Sequence, residues 1–102
     1  MASVDVIDGS GVAYRFRAAM LDQLPVNAGN LIVATGAPPR LSVRLCVSAP
    51  TLQTAAPVRD ALALSRNGEV FIGLNIARAT RAAEHADIVA AVEPDLEFTD
   101  LD

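Results

Sequence analysis

The chain has 102 residues, of which 52% are hydrophobic and 20% are charged, and its net charge is −4. This composition excludes a disordered chain and is typical of a single globular domain, residues 1–102, that buries its own core. Five of the twelve acidic residues lie in the last ten positions, so residues 1–92 hold eight Arg against seven acids, a balance of +1. That balance excludes a strongly basic nucleic-acid binder and a polyanion.

Two short alternating runs open the chain on either side of a glycine-rich turn. Ser3–Ile7 and Val12–Arg17 have the period of two that is typical of β-strands, and the turn between them contains two glycines. We expect residues 1–17 to form a β-hairpin. Arg15 and Arg17 would then share the solvent-facing side of its second strand.

Three further strands are predicted within residues 28–94. The short apolar run Leu31–Ala34 indicates a buried strand, and the alternating run Leu41–Val47 indicates an antiparallel neighbour. Val70–Ile76 is a third strand, in which Gly73 marks a bulge or a close backbone approach.

Two helices complete this unit. The first begins near Thr51 or Pro57 and ends at Asn67-Gly68, a C-cap pair. The second, Ala77–Val92, is rich in alanine and ends before Pro94. We expect its packing face to be formed by small side chains: Ala79, Ala83, Ala86, Val89 and Ala90.

The acidic tail, residues 95–102, alternates acidic and apolar residues. It is predicted to be either an added edge strand or a frayed end that binds a partner. The whole pattern predicts an α+β fold: an N-terminal β-hairpin followed by a ββαβα unit, with one mixed, mostly antiparallel sheet flanked by helices.

Residues 24–94 resemble the GIY-YIG nuclease domain in element order and in apolar cadence. Leu24–Ile32 is similar to the opening of that domain, a proline followed after a short gap by the first motif strand. Leu45–Leu52 has the spacing of the second motif, and the helix that carries Glu84 and ends near Pro94 is similar to the metal-binding helix. The resemblance implies a strand, strand, helix, strand, helix scaffold.

Several positions depart from the motifs of that family. Leu31 stands where the first motif has Tyr, and Leu45 and Val47 stand where the second has Tyr and Gly. The catalytic Arg of the family would fall near Ala55, and the nearest arginine is Arg59. Phosphodiester cleavage needs an activated water, a cation and a group that neutralises the phosphate, so the resemblance implies a non-catalytic relative.

The second helix carries one cluster of residues with metal-ligand chemistry. Glu84 and Asp87 are three residues apart and share a helix face, whereas His85 lies about 100° away from Glu84. A metal site on Glu84 and Asp87, and with it a divergent metal-dependent nuclease or hydrolase, is one alternative. The other is a solvated helix face with Arg–Glu pairs.

Four arginines are candidates for a nucleic-acid interface. Arg15, Arg17, Arg40 and Arg44 would form a basic strip if they lay on neighbouring strands. The sequence has no Lys cluster and no exposed aromatic platform beside them, so an ordinary charged sheet face is the alternative that we favour.

Cys46 and His85 are the remaining pair with catalytic chemistry, as nucleophile and base. Because Cys46 lies in an apolar strand, we expect an inert buried thiol instead. The single cysteine also excludes an internal disulfide, which fits a reducing compartment. No stretch approaches the ~20 apolar residues of a transmembrane helix.

These observations favour a non-enzymatic, intracellular bacterial or phage-type protein, with a cytoplasmic location and no cofactor. We expect it to act by binding a protein partner or itself, with Leu31–Ala34 and the alanine face of the second helix as candidate association surfaces. A nucleic-acid-binding accessory factor is the main alternative. No membrane partner is expected.

Overall fold

The computed structural model describes residues 3–7, 9–37, 40–54, 63, 68–75 and 77–99. Within them, six strands and one α-helix, α1 (Arg78–Val92), are the main elements, with short 3₁₀ turns at Leu21–Gln23 and Leu52–Thr54. The strands are β1 (Ser3–Ile7), β2 (Ala13–Ala19), β3 (Gly29–Ala37), β4 (Arg40–Ala49), β5 (Glu69–Leu74) and β6 (Leu96–Thr99).

All six strands belong to one mixed sheet with the order β1-β2-β5-β3-β4-β6. β1 and β2 pair antiparallel as the predicted hairpin, and β3 and β4 pair antiparallel as predicted. β5 lies antiparallel between β2 and β3, and β6 pairs with β4 in the parallel direction. The hairpin is therefore part of the same sheet as the rest of the chain.

The predicted ββαβα unit flanked by helices is wrong. Among the described residues a single α-helix packs on a six-stranded mixed sheet. The tail contributes β6, which is the edge strand that was one of the two alternatives predicted for it. Pairing with β4 satisfies the backbone groups along one edge of β6, and Phe98 packs against apolar residues of the sheet. The first predicted helix falls mostly on residues 55–62 and 64–67, which lie outside the described part of the chain.

The central strands are buried on both faces of the sheet. Nine residues form the opposite core, on the face away from α1: Leu24, Leu31, Val33, Leu45, Val47, Ala49, Leu52, Val70 and Ile72. Eight form the helix-side core: Val4, Val6, Phe16, Ile32, Ala34, Cys46, Phe71 and Ile88. Two-sided burial explains why β3 is continuously apolar rather than alternating.

This burial removes one of the association surfaces suggested by the sequence. Every side chain of Leu31–Ala34 is at most 2% exposed, so the run is core and not surface. The run contributes alternately to the two cores, because successive side chains of a strand point to opposite faces.

The predicted packing face of α1 is wrong for its four alanines and right for Val89. The buried residues of the helix are Arg81, His85 and Ile88, whereas Ala79, Ala83, Ala86 and Ala90 are exposed. Alanine contributes little apolar area, so the alanines do not decide which side of a helix is buried. The larger isoleucine and valine side chains decide which side is buried: Ile88, Val89 and Val92 all pack on the helix-side core.

The predicted end of the helix before Pro94 is confirmed. Glu93 takes a left-handed conformation with φ 48°, and its N–H donates to the carbonyl of Val89 at 2.9 Å. A left-handed residue of this kind is a common helix C-terminus, and proline after it cannot continue the helix.

Two glycines allow a close approach between neighbours in the sheet. A Cβ at Gly73 would lie 3.2 Å from the ring of Phe16, which is a side chain and not the backbone predicted there, and the register shift lies between Val33 and Ala34. A Cβ at Gly29 would lie only 2.5 Å from the backbone carbonyl oxygen of Gly73.

Gly29→Ala is expected to lower the free energy of unfolding by about 2 kcal/mol or more, because backbone atoms of β5 would have to move. Gly9→Ala is the matched control: a Cβ there meets nothing within 4 Å, and its effect should stay within about 0.5 kcal/mol. Urea denaturation of both variants checks this. Equal stabilities would contradict the close strand approach.

Candidate functional site: a polar layer beneath the helix

Four buried polar residues lie between α1 and the sheet, and we call them the polar layer: Asn30, Ser48, Arg81 and His85. Each is at most 3% exposed. Buried polar and titratable groups are uncommon in a small apolar core, and they occur preferentially at functional sites. Among the described residues, the polar layer is therefore the candidate site for binding or catalysis.

The sheet contributes two members of the layer from adjacent positions. Asn30 of β3 and Ser48 of β4 are cross-strand partners. They lie on the helix-side face because Ile32 and Cys46, two residues away in their strands, belong to the helix-side core. The polar pair thus interrupts the apolar surface at one end of the central strands.

Two oxygen atoms of this pair have no hydrogen-bond partner within the described residues: Asn30 Oδ1 and Ser48 Oγ. The other amide atom of Asn30, Nδ2, donates to the backbone carbonyl of Arg81 at 3.5 Å. A buried polar atom left without a hydrogen bond costs about 1–3 kcal/mol, so such atoms are candidate contacts for water or for a ligand.

The start of α1 is fixed by hydrogen bonds around Asn75. The side-chain oxygen of Asn75 accepts from the N–H of Ala77 at 3.1 Å, which satisfies one backbone donor near the helix start. Arg81 Nη1 donates to the backbone carbonyl of Asn75 at 3.3 Å. These bonds hold the buried guanidinium against the segment between β5 and α1.

The predicted metal residues lie at the margin of this layer and do not form a ligand cluster. Glu84 is half-buried, and Asp87 is exposed and accepts a hydrogen bond from the Tyr14 hydroxyl at 2.9 Å. In the part of the chain that the structure describes, no group of three or more His, Cys, Asp or Glu side chains is placed to hold a metal ion.

The four predicted arginines are not brought together. Arg15 and Arg17 are exposed on β2, whereas Arg40 and Arg44 belong to β4, and β5 and β3 lie between these strands. Three strand spacings of ~4.8 Å separate β2 from β4. The side chain of Arg40 lies outside what the structure describes.

Two of these arginines have acidic partners. Arg15 Nε donates to Asp5 Oδ1 at 3.1 Å, and this contact raises the pKa of Arg15 further above its ordinary value. Arg44 Nε donates to Asp95 Oδ2. Both pairs are solvent-exposed, so they offset charge locally without adding much stability.

The Cys46 thiol is inert. It is 1% exposed on the helix-side face, and burial, with a smaller contribution from the negative charge of Glu97, raises its pKa to about 12. Because the thiolate is the form that acts as a nucleophile or a metal ligand, burial and the raised pKa disfavour both roles for Cys46.

Comparison of the chain with protein-family models, with curated proteins and with solved structures gives no match. The resemblance to the GIY-YIG domain stays a prediction from the sequence. Within the described residues, no helix is both long enough and apolar enough to cross a membrane.

The two sheet members of the polar layer, Asn30 and Ser48, were not predicted from the sequence. The available signal was a single polar residue at the end of an otherwise apolar strand: Asn30 directly before Leu31–Ala34, and Ser48 directly after Leu45–Val47. Such a residue is buried when its strand is central, and the strand order is not visible in the sequence.

The raised pKa of Cys46 predicts a specific loss of stability at alkaline pH. The unfolded chain releases the thiol proton near pH 9, whereas the folded chain keeps it until about pH 12. The contribution of the protonated thiol to the free energy of unfolding is therefore complete below pH 9 and is lost as the pH rises from 9 to 12. The free energy of unfolding should fall by about 1.4 kcal/mol per pH unit more in the wild type than in Cys46→Ala. Urea titrations at a series of pH values measure both slopes, and parallel slopes would contradict the assignment.

Proposed function

We propose that this chain is a non-catalytic protein-binding domain that adds an extended, basic segment of a partner to the free edge of β6. The observation that carries the proposal is the position of β6, which is the last strand of the sheet and pairs only with β4 among the described strands. The other edge of β6 presents backbone donors and acceptors, which is the template for strand addition.

The side chains of β6 alternate in a way that specifies the added strand. Phe98 is half-buried against the opposite core, and Leu96, two residues earlier on the same face, is 40% exposed. Glu97 and Thr99 point to the helix side and are exposed. A partner strand is therefore expected to place apolar residues beside Leu96 and basic residues beside Glu97.

Charge supports a basic partner over a second copy of this chain. Five acidic residues and no basic residue occur in positions 93–102. Of the described acids, Asp95 is paired with Arg44, while Glu93 and Glu97 are exposed on either side of it. Two copies joined edge to edge through β6 would bring acids against acids, which is unfavourable.

The nucleic-acid alternative has weaker support. Arg15 and Arg44 are partly neutralised by Asp5 and Asp95, and two strands separate them. The acidic β6 edge next to Arg44 would repel a phosphate backbone.

A short labelled peptide that alternates Arg and Val tests the proposal by fluorescence anisotropy. We expect saturable binding that weakens with salt, because the attraction between Glu97 and the peptide is screened. Glu97→Lys should weaken binding by about tenfold, equivalent to ~1.4 kcal/mol. Asp22→Lys is the matched control: Asp22 is an exposed acid in the 3₁₀ turn after β2, and its reversal changes the net charge equally.

The same peptide with N-methyl groups on alternate residues tests the backbone component. N-methylation removes the donors that strand addition requires but keeps the charge, so binding should be lost. Equal binding of the methylated peptide, or equal weakening by Glu97→Lys and Asp22→Lys, would contradict addition at β6.

A further inference from the structure

A cavity of about 220 Å³ lies between β2, the end of β5 and the first half of α1, at the margin of the polar layer. Its wall includes Tyr14 and Phe16 from β2, Asn30 from β3, Gly73 from β5 and Glu84 from α1. The cavity is near the opposite end of the strand order from β6, so it is separate from the edge discussed above.

Asn30 borders the cavity and carries a buried hydrogen-bond acceptor. The residue is 2% exposed, and its Oδ1 atom has no hydrogen-bond partner in the part of the chain that the structure describes. Its Nδ2 atom is already directed to the carbonyl of Arg81. A ligand that satisfies Asn30 Oδ1 must therefore supply a hydrogen-bond donor.

The charge of the wall favours a cationic donor. Glu84 contributes a half-buried carboxylate. Arg15 also borders the cavity, but its guanidinium donates to Asp5. Arg81 does not line the cavity, and its Nη1 donates to the carbonyl of Asn75. Neither of the two ion pairs found among the described residues involves the carboxylate of Glu84.

The aromatic side chains of the wall also favour a cationic ligand. Tyr14 and Phe16 border the cavity, and aromatic rings attract ammonium groups through their electron-rich faces. The absence of a side chain at Gly73 keeps this space open, because a Cβ there would lie 3.2 Å from the Phe16 ring.

The size of the cavity selects a small group. Pockets for drug-sized ligands occupy ~300–1,000 Å³, which is larger than this one. Ca²⁺ takes about 6–8 oxygen ligands, whereas the side chains of the wall named above offer one carboxylate, one amide oxygen and the Tyr14 hydroxyl. An alkylammonium head has three N–H donors, enough for Asn30 Oδ1 and the Glu84 carboxylate together.

We propose that this cavity binds an alkylammonium group whose N–H groups donate hydrogen bonds to Asn30 Oδ1 and the Glu84 carboxylate, with the rings of Tyr14 and Phe16 beside it. A free aliphatic amine and a lysine side chain both carry this group. The proposal does not depend on strand addition at β6.

Two-dimensional ¹H–¹⁵N NMR titration of the full chain tests the proposal, with n-butylammonium as the first probe and Nα-acetyl-lysine amide as the second. We expect saturable shifts centred on the amides of Tyr14, Asn30, Gly73 and Glu84. Glu84→Gln should weaken binding by about tenfold or more, because it removes a charge-assisted hydrogen bond. Glu69→Gln, at an exposed acid that starts β5, should bind like the wild type.

The neutral probe 1-butanol separates charge recognition from simple filling of the cavity. Equal binding of butanol and butylammonium, shifts centred on other residues, or no loss in Glu84→Gln would each overturn the proposal, as would the absence of saturable binding of both amines. Binding of the free amine alone identifies a small amine as the ligand, and binding of the lysine probe alone identifies a protein side chain. Either result supports the alkylammonium site.

Discussion

Two-sided burial of the central strands is the constraint on which the rest of the structure depends. Val33 of β3 and Leu45 of β4 are 0% exposed, and Ile32, Ala34 and Cys46 beside them point to the other face and are buried too. β3 is hydrogen-bonded along both of its edges, to β4 and β5. Because this centre needs cover on both faces, the helix and the 3₁₀ turn at Leu52 pack on it. Among the described strands, only the outer two, β1 and β6, have an edge without a neighbouring strand.

The polar layer is where this apolar arrangement is interrupted. α1 is anchored near its C-terminal end by Ile88, Val89 and Val92, whereas its N-terminal half carries the buried Arg81 and His85, and the carbonyl of Arg81 accepts a hydrogen bond from Asn30. Apolar packing stabilises the helix, and the polar half borders the cavity that we propose as a binding site. The two proposed binding sites accordingly lie at the margins of the sheet, one at the β6 edge and one beside β2.

The local elements were predictable, but their arrangement was not. The hairpin, the β3–β4 pair and the end of α1 before Pro94 follow from alternation, apolar runs and proline stereochemistry, which act over a few residues. The insertion of β5 between β2 and β3 and the return of β6 beside β4 depend on contacts distant in sequence. The burial of Arg81 and His85 could not be anticipated for the same reason, since it depends on the strands that place Asn30 and Ser48 beneath the helix. Glu84 was identified as a candidate, although for a metal rather than for the organic cation proposed here.

Native-state amide hydrogen exchange tests the central claim most directly, because it measures the free energy that opens each strand. We expect the slowest amides to be those of Leu31–Val33 in β3 and Leu45–Val47 in β4, which exchange only when the whole domain unfolds. The amides of β1 and β6 should exchange faster, since each of these strands is paired along one edge. If β3 exchanged as fast as β1 and β6, or if α1 were protected more strongly than β3, the doubly covered sheet centre would not be what holds this fold together.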